Sequence, residues 1–145
     1  MARLLAFALV LAGCKREAPS PAAEAIAKGQ PPLVAHSYFR VDAPPTKACH
    51  VNAPCEAQLV LTALGDYHVN DDYPTKFVPD ATSDVAIEAD GRFHIGGAKH
   101  GTMTVRFTPT RPGPARLVGK FELSVCSDHN CQTASPKITL DVTSS

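Results

Sequence analysis

The chain has no tryptophan and only 6% aromatic residues, so any core must rest on aliphatic side chains and a few phenylalanines. Charge bias is missing too: Lys plus Arg and Asp plus Glu number 14 each. A balanced surface gives no electrostatic reason to bind nucleic acid or an anionic membrane, and no nucleic-acid partner is expected. No apolar run reaches the ~20 residues that a spanning helix needs. Helical periodicity of useful length is absent after the first segment, as is any internal repeat. There is no phosphate-cradling glycine loop, no paired carboxylates and no nucleophile–base–acid set. These absences argue against helical bundles, nucleotide enzymes and hydrolases, and no cofactor is expected.

What the chain does have is punctuation. Thirteen prolines and nine glycines divide 145 residues into short segments, as an all-β chain requires, and the length admits one domain. Thr102 to Thr108 alternates, with Met103, Val105 and Phe107 on one face. Ala115 to Val125 places Leu117, Phe121, Leu123 and Val125 on one side and Arg116, Lys120, Glu122 and Ser124 on the other. Ile138, Leu140 and Val142 alternate with Lys137, Thr139 and Asp141. Glu56 to Leu64 reads as a buried strand broken by Gly65-Asp66, Leu33 to Val41 as a first strand, and Asp90-Gly91 as a hairpin turn. Short period-2 strands with regularly spaced turns predict an antiparallel β-sandwich of immunoglobulin-like type.

The beginning of the chain reads differently. Met1-Ala2-Arg3 is a short positive start, and Leu4 to Leu11 is an apolar run. Leu11-Ala12-Gly13-Cys14 then matches the bacterial lipoprotein signal at all four positions, with small residues for peptidase access and a thiol to take diacylglycerol. The expected organisation is a signal peptide over 1–13, lipidated Cys14 with an Ala/Pro-rich disordered tether over 14–32, and a β-sandwich over 33–145. Such a protein is held in the cell envelope by its lipid and faces the periplasm. Lys15, where an aspartate would resemble an inner-membrane retention signal, favours the outer membrane.

Cysteine arithmetic agrees with export. Five cysteines is an odd count, and assigning Cys14 to lipid leaves Cys49, Cys55, Cys126 and Cys131, an even set for an oxidising compartment. Four cysteines allow three connectivities. Local pairing joins Cys49 to Cys55 across a Pro-containing loop and Cys126 to Cys131 across the turn Ser127-Asp128-His129-Asn130. A disulfide closing about six residues removes roughly 2 kcal/mol of unfolded-chain entropy, against about 4.5 for some eighty residues. The Cys126/Cys131 hairpin is therefore a weak staple in an accessible turn, where protonated His129 would favour a thiolate and Asp128 oppose it. Three readings stay open: an inert staple, a redox pair, or soft ligands for copper or zinc.

Strand, cysteine, short turn, cysteine, strand near the end of a small exported β domain resembles the amino-terminal periplasmic domain of the thiol:disulfide interchange protein DsbD. Leu64-Gly65-Asp66-Tyr67-His68-Val69-Asn70 with Tyr73-Pro74 is similar to that family's aromatic strand-and-loop segment. Here four residues separate the cysteines where the family has five, and Gln132 to Ser135 replace its prolines. The resemblance covers 56–142. It implies an immunoglobulin-like fold, a redox role for Cys126 and Cys131 with His129 as modulator, and Tyr67, His68 and Tyr73 in a shielding or interaction loop. It also implies a thioredoxin-like or other periplasmic thiol protein as partner. Enzymatic activity would be limited to electron relay, and Cys131→Ser would free Cys126 to trap the partner. The competing reading is a structural or interaction lipoprotein with inert disulfides, and a third is a periplasmic copper or zinc binder.

Overall fold

The long strands form where β-branched and aromatic residues alternate with polar ones, since only a pleated, half-buried surface satisfies that pattern. A computed structural model describes residues 29–88 and 91–145. Eleven strands, β1 (Val34–Ala35), β2 (Phe39–Asp42), β3 (Cys55–Ala63), β4 (His68–Val69), β5 (Lys76–Pro79), β6 (Ala86–Ile87), β7 (Arg92–Gly97), β8 (His100–Thr108), β9 (Gly113–Cys126), β10 (Cys131–Ala134) and β11 (Lys137–Ser144), build two antiparallel sheets. Among the described residues there is no helix, and hence none long and apolar enough to cross a membrane.

The first sheet runs β1-β2-β3-β8, with β6 and β7 following one another along the far edge of β8. The second is organised by β9, whose 14 residues pair with β10 and β11 on one edge and with β4 and β5 on the other. Cys131 pairs with Cys126 and Ser144 with Gly113, so β10 and β11 keep one register along the whole of β9. Inward faces of both sheets supply one hydrophobic cluster, with Phe39, Leu59 and Phe107 from the first and Phe77, Phe121 and Leu123 from the second at 0–1% exposure. The alternation expected for β8, β9 and β11 is observed: Met103, Val105, Leu117, Val125, Ile138 and Val142 are all buried. A Cβ added to Gly119 would lie 2.3 Å from Phe77 Cζ, so glycine here lets the ring of β5 lie flat on β9.

Three details differ from expectation. The segment around Leu33 to Val41 is two short strands folded on each other, with His36 N–H donating to Phe39 O, because Ser37 and Tyr38 form the turn. β3 is not buried on both sides: Glu56 is exposed and pairs with Arg106 at 3.0 Å. β6 and β7 are not the two arms of the hairpin expected at Asp90-Gly91. Asp90 itself lies outside the described residues, but β6 and β7 both run antiparallel to β8, so the chain keeps its direction between them. Ile87 packs opposite Phe107 and Phe93 opposite Met103, and this shared partner strand overrides the local turn signal. The reversal comes later, where Gly97 pairs with His100.

One buried carboxylate is accounted for on β2. Asp42 is 3% exposed and accepts from Arg40 Nε at 2.8 Å and Nη2 at 2.6 Å. The hydrogen bonds to Asp42 raise the Arg40 pKa above its ordinary value.

Candidate functional site

The β9–β10 hairpin brings Cys126 and Cys131 directly opposite each other, joined as a disulfide with an S–S distance of 2.03 Å. Ser127 N–H donates to Asn130 O at 2.8 Å, which makes the cysteines the next, non-hydrogen-bonded pair. Their Cα atoms are 4.0 Å apart, near the ~4.5 Å spacing of such pairs. The turn is held from within, as Ser127 Oγ accepts from the backbone N–H of His129 and of Asn130, each at 3.3 Å. Tyr67 ties it to the neighbouring chain segment by donating its hydroxyl to Asn130 Oδ1 at 3.2 Å.

Side-chain direction follows from β9's alternation. Leu117, Phe121, Leu123 and Val125 point into the core, so Cys126 points to the opposite face together with Ser124 and Glu122. Cys126 is 7% exposed yet stands outside the hydrophobic cluster. Cys131 is exposed. The two halves of one disulfide therefore differ: one sulfur-bearing residue is open to solvent, the other is covered on the outward face.

The β4 edge lies on the other side of β9. His68 pairs with Cys126 on the side opposite Cys131, so His68, Cys126 and Cys131 form a row across three strands on one face. In the next row Asn70 donates from Nδ2 to Ser124 Oγ at 3.2 Å and from its backbone N–H to Ser124 O at 3.1 Å. Ser124, assigned to the outward side by its alternation, does lie there but is fully buried, because Asn70 lies over it. From Val69 to Lys76 the chain uses six residues where β9 uses only two, Ser124 and Leu123. Residues 70–75 accordingly leave the sheet as a loop beside the disulfide, with Asp71 and Asp72 exposed, Tyr73 half-buried, and Asp72 N–H donating to Asn70 Oδ1.

The turn into β4 is fixed by Gly65, whose φ of +60° suits glycine, with Tyr67 N–H donating to Leu64 O. Lys99 Nζ donates to the carbonyls of Gly65 and Tyr67, and the Tyr67 ring lies 5.4 Å from that of Tyr38. Tyr67 and His68 are thus brought to the hairpin, and Tyr73 lies in the adjoining loop. His129 is exposed at the turn tip, where its backbone rather than its ring is engaged. Sequence reasoning missed Asn70, Ser124 and the pairing of His68 with Cys126; no local signal marks a register between segments 58 residues apart.

Cys49 and Cys55 form the second disulfide, with Cα atoms 5.8 Å apart. Both are buried, at 3% and 8% exposure, and both belong to the core cluster. Cys49 forms a parallel bridge with Ser144 and accepts from Ser145 N–H at 3.0 Å. Ser144 pairs with Gly113, the first residue of β9, and Cys126 is its last, so the disulfides occupy opposite ends of that strand. Among the described residues no group of three or more His, Cys, Asp or Glu is placed to hold a metal ion. Cys14 and the lipoprotein signal lie outside the described residues. No protein-family model, curated protein or solved structure matches the chain.

Proposed function

We propose that the chain is an exported, lipid-anchored β-sandwich of immunoglobulin-like type that exchanges electrons with thiol proteins through Cys126 and Cys131, in the manner of the amino-terminal domain of DsbD. The observation that carries this reading is the asymmetry of the hairpin disulfide. It lies off the core, on the outward face, with Cys131 exposed and Cys126 buried. Thiol–disulfide exchange needs a sulfur that an incoming thiolate can reach and a second sulfur that can leave. Cys131 meets the first need and Cys126 the second.

This polarity reverses the trapping experiment that the resemblance to DsbD implied. Cys126→Ala leaves an accessible Cys131 thiol with no resolving partner, and this variant should accumulate a mixed disulfide with a thioredoxin-like protein. Cys131→Ala leaves only the covered Cys126 and should trap about tenfold less, because exchange rates follow access. Non-reducing electrophoresis with a purified thioredoxin carrying a single active-site cysteine reads the difference. Trapping by neither variant would leave the inert structural lipoprotein as the better account.

Anchoring is proposed on the sequence motif at Leu11-Ala12-Gly13-Cys14. Cys14→Ala should move the protein from the membrane pellet to the soluble fraction, or halt its processing, on cell fractionation. Unchanged pelleting would refute the lipid.

A further inference from the structure

The proposed exchange leaves a chemical problem at Cys126. When a thiolate attacks Cys131 Sγ, the bond to Cys126 Sγ breaks and its electron pair leaves on that sulfur. A thiolate formed on a residue that is 7% exposed is poorly solvated, and burial raises a thiol's pKa unless a cation or donor faces it. The loops around it are acidic, with Asp66, Asp71, Asp72 and Asp128 all exposed near the ends of β4 and the hairpin turn. Those carboxylates oppose a negative sulfur. Lys99 is close in the fold, but its Nζ is taken up by the carbonyls of Gly65 and Tyr67.

Resting on the exchange reading above, we infer that His68 acts as the proton donor to Cys126 as that sulfur leaves, making exchange through this disulfide faster as pH falls. His68 pairs directly with Cys126 in the antiparallel register and lies on the same face, where opposed Cβ atoms stand about 5 Å apart. It is half-buried at the edge of the sheet. Histidine is the side chain suited to changing charge in this pH range.

The step balances. The partner's thiolate bonds to Cys131 Sγ, the Cys126–Cys131 bond breaks, and Cys126 Sγ takes the electron pair and the proton from His68. The partner's second thiol then attacks its own sulfur in the mixed disulfide, and Cys131 leaves as a thiolate that takes up a proton. This chain gains two electrons and two protons as the partner dithiol becomes a disulfide. By register Cys126 and then Cys131 lie across from His68, Asp128 and His129 are in the turn beyond them, and Asp66, Tyr67, Asp71 and Asp72 flank His68 along its own chain segment. On the outer edge of β4, Val69 N–H donates to Ala98 O, beside Lys99.

The test uses the full chain in detergent with glutathione as reductant, between pH 5.5 and 8.5. The rate constant for opening Cys126–Cys131 is expressed per glutathione thiolate, which removes the attacking thiol's own titration. Wild type should quicken about fivefold toward low pH, while His68→Ala and the size-matched His68→Gln stay flat within about twofold. His68→Lys, carrying a fixed cation, should be fast and flat. A profile unchanged in the Ala and Gln variants, or abolished only by His129→Ala, overturns the role of His68. If the disulfide opens in no variant, wild type included, until the domain unfolds, the exchange reading itself falls.

Discussion

Cys49–Cys55 and Cys126–Cys131 close almost the same length of chain, with sequence separations of 6 and 5. By loop entropy alone they are equivalent devices, worth about 2 kcal/mol each. Their surroundings divide them. The first is embedded in the core cluster and fastened to the chain's last residues, with Val51 N–H donating to Ser145 O and Ser145 N–H to Cys49 O. The second lies on the outward face, one residue buried and the other open, at the far end of β9. Loop length thus does not distinguish the two disulfides, whereas the face on which the sulfurs lie does.

The largest effect that would break this contrast is the order of reduction. Reaching Cys49–Cys55 requires exposing core residues, and for a domain of ordinary stability the globally open form is populated at roughly one part in several thousand or less. Under native conditions the hairpin pair should therefore be reduced at least about a thousandfold faster than the core pair. Timed alkylation with mass mapping of each cysteine measures it. Comparable rates would mean that both disulfides depend on the same unfolding event, and the distinction drawn from burial would be lost.

Much of this was readable beforehand, and the failures share one cause. Period-2 patterning identified the faces of β8, β9 and β11, because each strand carries its own record of which side is buried. The hairpin cysteines and the break at Gly65 were legible for the same local reason. What a strand does not carry is the register of a distant neighbour. Ser124 looks like a solvent-facing serine until Asn70 is placed over it. Asp90-Gly91 reads as the link of a two-strand hairpin until Ile87 and Phe93 are both seen to pair with β8. His68 gains its interest only from pairing with Cys126, and Cys126 looks as accessible as Cys131 until its 7% exposure is seen. The proposed roles of the two cysteines in trapping are for that reason the reverse of those the resemblance implied.

A smaller effect sharpens the same comparison through stability. Replacing Cys49 and Cys55 together with alanine removes about 2 kcal/mol of loop constraint and leaves a void where two sulfurs fill the core. It also loosens the segment that Ser144 and Ser145 pin, so the total loss should be about 3–4 kcal/mol. Replacing Cys126 and Cys131 removes a similar constraint but little packing, because Cys131 is exposed and neither residue belongs to the core cluster. The Ser127 N–H to Asn130 O bond and the Tyr67 hydroxyl to Asn130 still hold the turn. That loss should be about 2 kcal/mol. Urea unfolding of the two double variants against wild type, with m-values checked for constancy, gives both numbers. If the hairpin variant proved the less stable of the two, Cys126–Cys131 would be the principal staple, and its outward position would have to be explained by something other than exchange.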